Sequence, residues 1–278
     1  MKTSTLGFIF STHFFLTFLL FILFKTFSFG QTKRPSDWSV SAGMGLATLP
    51  SYPGDDQYQL VVVPSIRIQY SDRFFASILE GVGYNMVLTD HWRIGPILKN
   101  HIGRYEDGTV PSSIAGRKTT DLIGLGDIGF AAEPGAFIEF TQKAFITKLE
   151  IRQGLGGHQG LIGELRSAFQ GRVKFNKSHL IYRAGPELRF ANSTYQNAFF
   201  GINAEQAANT ELAKYEAETG LLSYGLNGSI GVPIHQKLSM IAFARYQRLG
   251  VIASDSPLVQ GFGSSNQSTF GMLLQYAF

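Results

Sequence analysis

The residues of this 278-residue chain best suited to chemistry are charges that recur at every second position. Lys148, Glu150 and Arg152 alternate in one segment, Glu164, Arg166 and Arg172 lie at even spacing in the next, and Arg183, Glu187 and Arg189 at even spacing in a third, with Arg67 earlier in the chain. Successive side chains of an extended strand point to opposite faces, so residues two apart share a face. A face carrying mixed charges demands water or a partner for each one. Two arrangements satisfy that demand: a small aqueous pore that favours anions, or a lumen plugged by its own ion pairs, which is the favoured reading.

Other patterns point to less. Gly124-Leu-Gly126-Asp-Ile-Gly129 matches G-x-G-x-x-G, which lets a backbone approach a pyrophosphate at a helix N-terminus. Pro134 and Gly135 break the helix that would have to follow, so these glycines are expected to ease strand curvature instead. His91 and His101 lie too far apart along one strand to share a metal, and the remaining histidines show no ligand spacing. No cofactor is expected. A barrel lipid hydrolase needs a Ser and His pair within hydrogen-bond reach. His158 lies in the loop Gly156-Gly157-His158-Gln159-Gly160 and Ser167 well along the following strand, and nothing in that spacing joins them. His158 reads as a solvated loop histidine, and no enzyme is expected.

The frame that positions the charges follows from alternation. Trp38, Val40, Ala42, Met44 and Leu46 oppose Ser39, Ser41, Gly43 and Gly45, while Phe270, Met272, Leu274, Tyr276 and Phe278 oppose Gly271, Gln275 and Ala277, with Leu273 as the exception. Oil on one face and water or packed polar groups on the other is the pattern of a barrel wall. Similar stretches predict strands near 37–47, 58–70, 73–87, 91–101, 126–141, 143–154, 161–175, 178–190, 195–204, 219–232, 236–249 and 267–278. These are twelve, an even number, as bacterial outer-membrane barrels require. Ser71-Asp72 and Asn176-Lys177 read as tight turns, and 102–125, 205–218 and 250–266 as long loops. Assigning loops to sides by strand parity conflicts with loop length around 102–125. Aromatics near strand ends, among them Trp38, Tyr70, Phe74, Trp92, Phe140, Phe190 and Tyr246, suit girdles at two interfaces.

Residues 1–30 read as a cleaved signal peptide: Lys2, an apolar stretch from Leu6 to Phe24, then Ser28-Phe29-Gly30 before Gln31. Cleavage is expected between Gly30 and Gln31, leaving 31–278 as a single domain. No later segment approaches 18 unbroken apolar residues, so the remainder is either soluble or a closed barrel. Charged residues make up 16% of the chain against about 25% in an average soluble domain, which suits a lipid-facing wall. Removing Lys2 and Lys25 with the leader leaves 22 basic and 20 acidic residues, without a basic run, so nucleic-acid binding is not expected. Cysteine is absent, which excludes disulfides, thiolate metal sites and a thiol nucleophile. The expected fold is an all-β, transmembrane antiparallel β-barrel in the outer membrane of a Gram-negative bacterium, in contact with its lipid. Leu274, Tyr276 and Phe278 form the expected C-terminal assembly signal.

Short segments then resemble one family in order along the chain: Gly43-Met-Gly45 with Pro50-Ser-Tyr52-Pro-Gly54-Asp55-Asp56-Gln-Tyr58, Arg73-Phe74-Phe75, Gly103-Arg104, Gly156-Gly157-His158-Gln159-Gly160, Phe200-Gly201-Ile202 with Gln206-Ala207, Ser254-Asp255-Ser256-Pro257-Leu258-Val259, and Tyr276-Ala-Phe278. The chain resembles the MipA/OmpV family of outer-membrane proteins over nearly all of residues 31–278. The resemblance implies a scaffold that holds a lytic transglycosylase of the murein sacculus near a bifunctional peptidoglycan synthase. Other members are described as porin-like or adhesive, which keeps a small diffusion channel as the second reading.

Overall fold

The computed structural model describes residues 37–175 and 178–278. The leader, its Gly30/Gln31 cleavage point and the Asn176-Lys177 turn lie outside the described residues.

The alternating segments pair into one antiparallel sheet. Its first half comprises β1 (Trp38–Pro50), β2 (Tyr58–Tyr70), β3 (Phe74–Ser77), β4 (Gly81–Tyr84), β5 (Val87–Leu88), β6 (Trp92–His101), β7 (Ser113–Ala115) and β8 (Ala131–Gln142). The second half is β9 (Phe145–Gln153), β10 (Leu155–Gly156), β11 (Leu161–Phe175), β12 (Ser178–Ala191), β13 (Gly220–His235), β14 (Leu238–Leu249) and β15 (Asn266–Ala277). β5, β7 and β10 are short additions, and the other twelve strands form the wall. β15 pairs with β1, from Ser41 opposite Ala277 to Thr48 opposite Phe270, and β6 pairs with β8, so the sheet closes on itself. Closure leaves no continuous edge to face lipid, the condition for a sheet to cross a bilayer.

The count of twelve arises through two offsetting differences from the sequence reading. The stretch 73–87 is a hairpin, β3 and β4, turning at 78–80, where Gly81 adopts φ +87°. The stretch 195–204 is helical over α1 (Ser193–Phe200). Asn192 caps α1 by accepting from the Tyr195 amide at 3.1 Å. Tyr195 and Phe199, four residues apart, then share one helical face. Within the other loops lie α2 (Ala204–Asn209), α3 (Val251–Ser254) and α4 (Pro257–Phe262). The expected strand at 126–141 begins only at Ala131. Gly124 and Gly126 sit in turns at φ +89° and +73°, so they serve turns before the strand and not its curvature.

The extra hairpin resolves the conflict over sides. Segments 51–57, 102–130, 154–160, 192–219 and 250–265 now share one end of the cylinder, toward which the turn 78–80 points from partway up the wall, and the tight turns at 71–73, 143–144 and 236–237 share the other, with 85–91. Ser71 and Asp72 both take positive φ, 48° and 56°, as a two-residue hairpin turn requires. Long loops mark the outer end of a bacterial barrel and short turns the periplasmic end.

The hairpin of β3 and β4 spans only part of the wall's height. Above it β2 pairs with β7 instead: the Val62 amide donates to Ser112 O at 2.9 Å, and Ile66 O accepts from Ile78 N at 3.2 Å. Pro64 lies between these two positions on the same side of the strand, so the gap meets a residue without an N–H to strand there.

The outward face is apolar, with Met44, Leu46, Phe169, Leu226, Phe270, Met272 and Leu274 all exposed. Trp38 packs against Tyr70 and Trp92 against Phe140, both at 4.7 Å between ring centres, as one girdle at the turn end. Tyr58, Tyr246 and Phe190 mark the loop end. Met44 sits midway along β1 opposite Leu274 and is 62% exposed. Met44→Arg is expected to cost about 2–4 kcal/mol, the penalty of a cation at the bilayer midplane, read by denaturant titration of the barrel folded in lipid.

Candidate functional site in the barrel lumen

Inward parity brings the charges of five neighbouring strands, β6, β8, β9, β11 and β12, to one level. Glu150 stands directly opposite Glu164, and Lys148 opposite Arg166. Like charges placed so would repel. Arg152 resolves the carboxylate pair by reaching both: Nη1 donates to Glu150, Nη2 to Glu164 at 3.3 Å, and Nε to Glu133 at 2.9 Å. Glu150 also holds Lys99 at 2.6 Å and Lys148 at 2.8 Å, and Glu164 takes Arg166. Beside this cluster, Glu187 accepts from Arg245 Nε at 2.6 Å and from Asn227 at 3.3 Å. Glu133, Glu150, Arg152, Glu164 and Glu187 are all at most 5% exposed. Four carboxylates thus meet six cations, Lys99, Lys148, Arg152, Arg166, Arg189 and Arg245, and the layer carries a net excess of two positive charges.

His158 is inside this layer, which corrects its reading as a solvated loop histidine. Its ring is fully buried: Nδ1 accepts from the Gly160 amide at 3.1 Å, leaving Nε2–H to donate to Glu133 at 3.1 Å. The glycine-rich loop folds inward because Gly156 and Gly157 both take positive φ, and Gly154 lies directly against the imidazole. Ser167 instead pairs with Thr147 at 2.9 Å.

Above the layer the lumen is filled by an apolar plug. Tyr195 and Phe199 of α1 lie 4.8 and 6.0 Å from the His158 ring, and Phe199 lies 5.0 Å from His101. Phe200, Ile162, Leu222, Leu249, Ala253 and Val259 belong to the same cluster, with Ile128 and Ala191, all buried. The carbonyls at the end of α1 are satisfied by tertiary donors: Arg104 Nη1 to Phe199 O at 3.0 Å and Ser256 Oγ to Phe200 O at 2.6 Å. A second buried cluster of Tyr52, Leu122, Leu125, Ile202, Leu212 and Leu258 lies among the loops.

The ten lumen charges expected from sequence divide. Lys148, Glu150, Arg152, Glu164 and Arg166 join in one network, Glu187 pairs beside it, and Arg189 lies opposite Glu164 and hydrogen-bonds Tyr195. Arg67 pairs instead with Glu80 at 2.8 Å in a small cavity of about 90 Å³ nearer the turns, shared with Arg93, Glu139 and Asp72. Arg183 donates to Gln170 at 3.1 Å, and both Arg183 and Arg172 are exposed, outside the dry layer. Sequence reasoning missed Lys99, Glu133, Asn227 and Arg245. Lys99 and Glu133 lie opposite one another at inward positions of β6 and β8, so continuing the same parity from Arg93 and Glu139 would have found them.

With this geometry in place, comparison with known proteins is decisive at the level of family. A family model described as MltA-interacting protein MipA matches residues 42–278. The chain belongs to the MipA family. It is an outer-membrane β-barrel. Among curated proteins none matches the chain. Solved structures with a similar fold include the NanC porin, at 9% identity and TM-score 0.41, covering 85% of this chain and 98% of that one. They also include an outer membrane channel from Pseudomonas putida F1, at 10% identity and TM-score 0.43, covering 91% and 100%.

Of the segments that carry the MipA resemblance, those in the long loops converge on the plug though scattered in sequence, whereas Gly43-Gly45, Arg73-Phe75 and Tyr276-Phe278 lie in the wall or at its turn end. Gly54, at φ +103°, lies against Val259, and Gln267 brackets this corner by donating to Asp55 O at 3.0 Å and accepting from Gly54 N at 3.3 Å. Gln206 donates to Leu125 O at 2.7 Å. Arg104, His158, Phe200 and Ser256 are the plug contacts already described.

Asp55 itself is buried, with Oδ1 accepting from Gln57 N at 2.9 Å and Oδ2 without a hydrogen-bond partner. Burial raises its pKa above the ordinary 3.8. A folded-state pKa above the unfolded one contributes stability that is complete below 3.8 and is lost as pH rises through the folded value. Asp55→Asn is therefore expected to slow amide hydrogen exchange at residues 54–57 at neutral pH, with variant and parent converging in acid.

Proposed function

We propose that this barrel is a non-enzymatic scaffold of the cell envelope, docking a lytic transglycosylase of the murein sacculus and with it a peptidoglycan synthase. The observation that carries the reading is the lumen: its charges are paired with one another in a buried layer beneath an apolar plug and do not line an open channel. A wall filled in this way is of use for its surface. The turn end of the cylinder faces the periplasm, where murein lies, so that end is the docking face. The family's description, an MltA-interacting protein, supports a partner of this class.

Two measurements on the purified barrel test the proposal against a small diffusion channel. Planar bilayers are expected to show no steady openings, and immobilised barrel to retain a purified lytic transglycosylase. Steady single-channel conductance without retention of the enzyme would overturn the scaffold in favour of transport.

A further inference from the structure

We infer that the free edge of β11 at the turn end binds an extended acidic segment of a protein partner by strand addition; this rests on the scaffold reading above. β11 pairs with β9 only as far as Phe169 opposite Phe145, and the last bond on that side runs from Gln170 N to Ala144 O at 2.8 Å. On its other side the pairing with β12 continues to Phe175 opposite Ser178. Gly171–Lys174 is thus laddered on one side alone among the described residues. Backbone direction repeats every second residue, so the N–H and C=O groups of Arg172 and Lys174 point the same way as the Gln170 N–H, toward the open edge. Unpaired backbone is not tolerated in hydrocarbon, which places this edge beyond the membrane core, in the periplasm.

Charge decides what can pair there. Arg172 and Lys174 share the inward face, whereas Val173 points outward and is 52% exposed. Arg183 and His179 of β12 lie on the same inward face, with His179 opposite Lys174, and Lys143 stands on the neighbouring turn. All five are exposed, and none takes part in a carboxylate ion pair among the described residues. The layer above adds its own excess of two positive charges. A strand laid along this edge would set alternate side chains over Arg172 and Lys174, so carboxylates at every second position suit it. A second copy of the same basic edge would be repelled. Lipid headgroups surround the opposite face of the wall, and a glycan strand has no peptide ladder to offer.

The test uses the whole barrel in detergent micelles and the fluorescence anisotropy of a labelled peptide of alternating Glu and Val. The barrel is expected to bind this peptide and not its Lys-Val counterpart. Arg172→Gln with Lys174→Gln should weaken binding by about threefold to tenfold, two exposed charge contacts' worth. Lys174→Pro, which also deletes an edge donor, should weaken it further than Lys174→Gln alone, and methylating alternate peptide nitrogens should abolish it. Heat-modifiable migration on gels checks that each variant remains folded. Equal affinity for the methylated peptide, or identical losses for Lys174→Pro and Lys174→Gln, would overturn strand addition. Charge-dependent binding of phosphatidylglycerol vesicles or free murein peptides in place of the Glu-Val peptide would also overturn it, assigning the cations to lipid or murein. Retention of the transglycosylase by the double variant would sink this edge while leaving the scaffold standing; failure of the parent barrel to retain it would sink the scaffold itself.

Discussion

Arg152→Met is expected to lower the stability of the folded barrel by about 3–5 kcal/mol, the usual cost of removing one partner from a buried ion pair. The reason lies in what remains. Arg152 alone touches three carboxylates, those of Glu133, Glu150 and Glu164. Without it Glu150 and Glu164 stand opposite one another, and Glu133 retains only His158. Denaturant titration followed by heat-modifiable gel migration measures the loss. Converting Glu133 to Gln in the Arg152→Met background should recover part of it, because Glu133 is the carboxylate left without a cation, whereas Glu150 keeps Lys99 and Lys148 and Glu164 keeps Arg166. If the double variant is as unstable as Arg152→Met, the layer owes its strength to packing around the guanidinium.

Phe199→Ala is expected to cost about 3–5 kcal/mol, the transfer free energy of a buried ring plus the cavity it leaves. Phe199 is 1% exposed and packs against the buried His158, the half-buried His101 and Tyr195. Its loss removes the apolar cover from His158, so the Gly160 amide that donates to this ring should exchange hydrogen faster. Phe199→Leu, which keeps most of the volume, should retain most of the stability. Similar losses for Ala and Leu would mean that α1 is held by its terminal bonds to Arg104 and Ser256 and not by the ring.

These two residues differ in how far they could be read from the chain. Arg152 sits in a segment whose parity alone assigns it inward, because an alternating strand with oil on one side has a single choice of face. Phe199 belongs to a segment that passes for a strand by alternation, and its helix is set by the Asn192 cap and by the space its ring fills inside the cylinder. The hairpin at 73–87 escaped for a related reason: four-residue strands are too short to show a period of their own.

By itself the sequence determined the closed antiparallel wall, its lipid-facing and lumen-facing residues, and the membership of Glu150, Arg152 and Glu164 on one inner face, since a two-residue period is a local property of the chain. Which carboxylate each cation meets was left to register, and the burial of His158 to the nearby loops 154–160 and 192–219, which meet inside the barrel. Parity could place Lys99 and Glu133 inward, but their partners, and that of Arg245, follow from the pairing of neighbouring strands, which has no footprint in the period of any one of them.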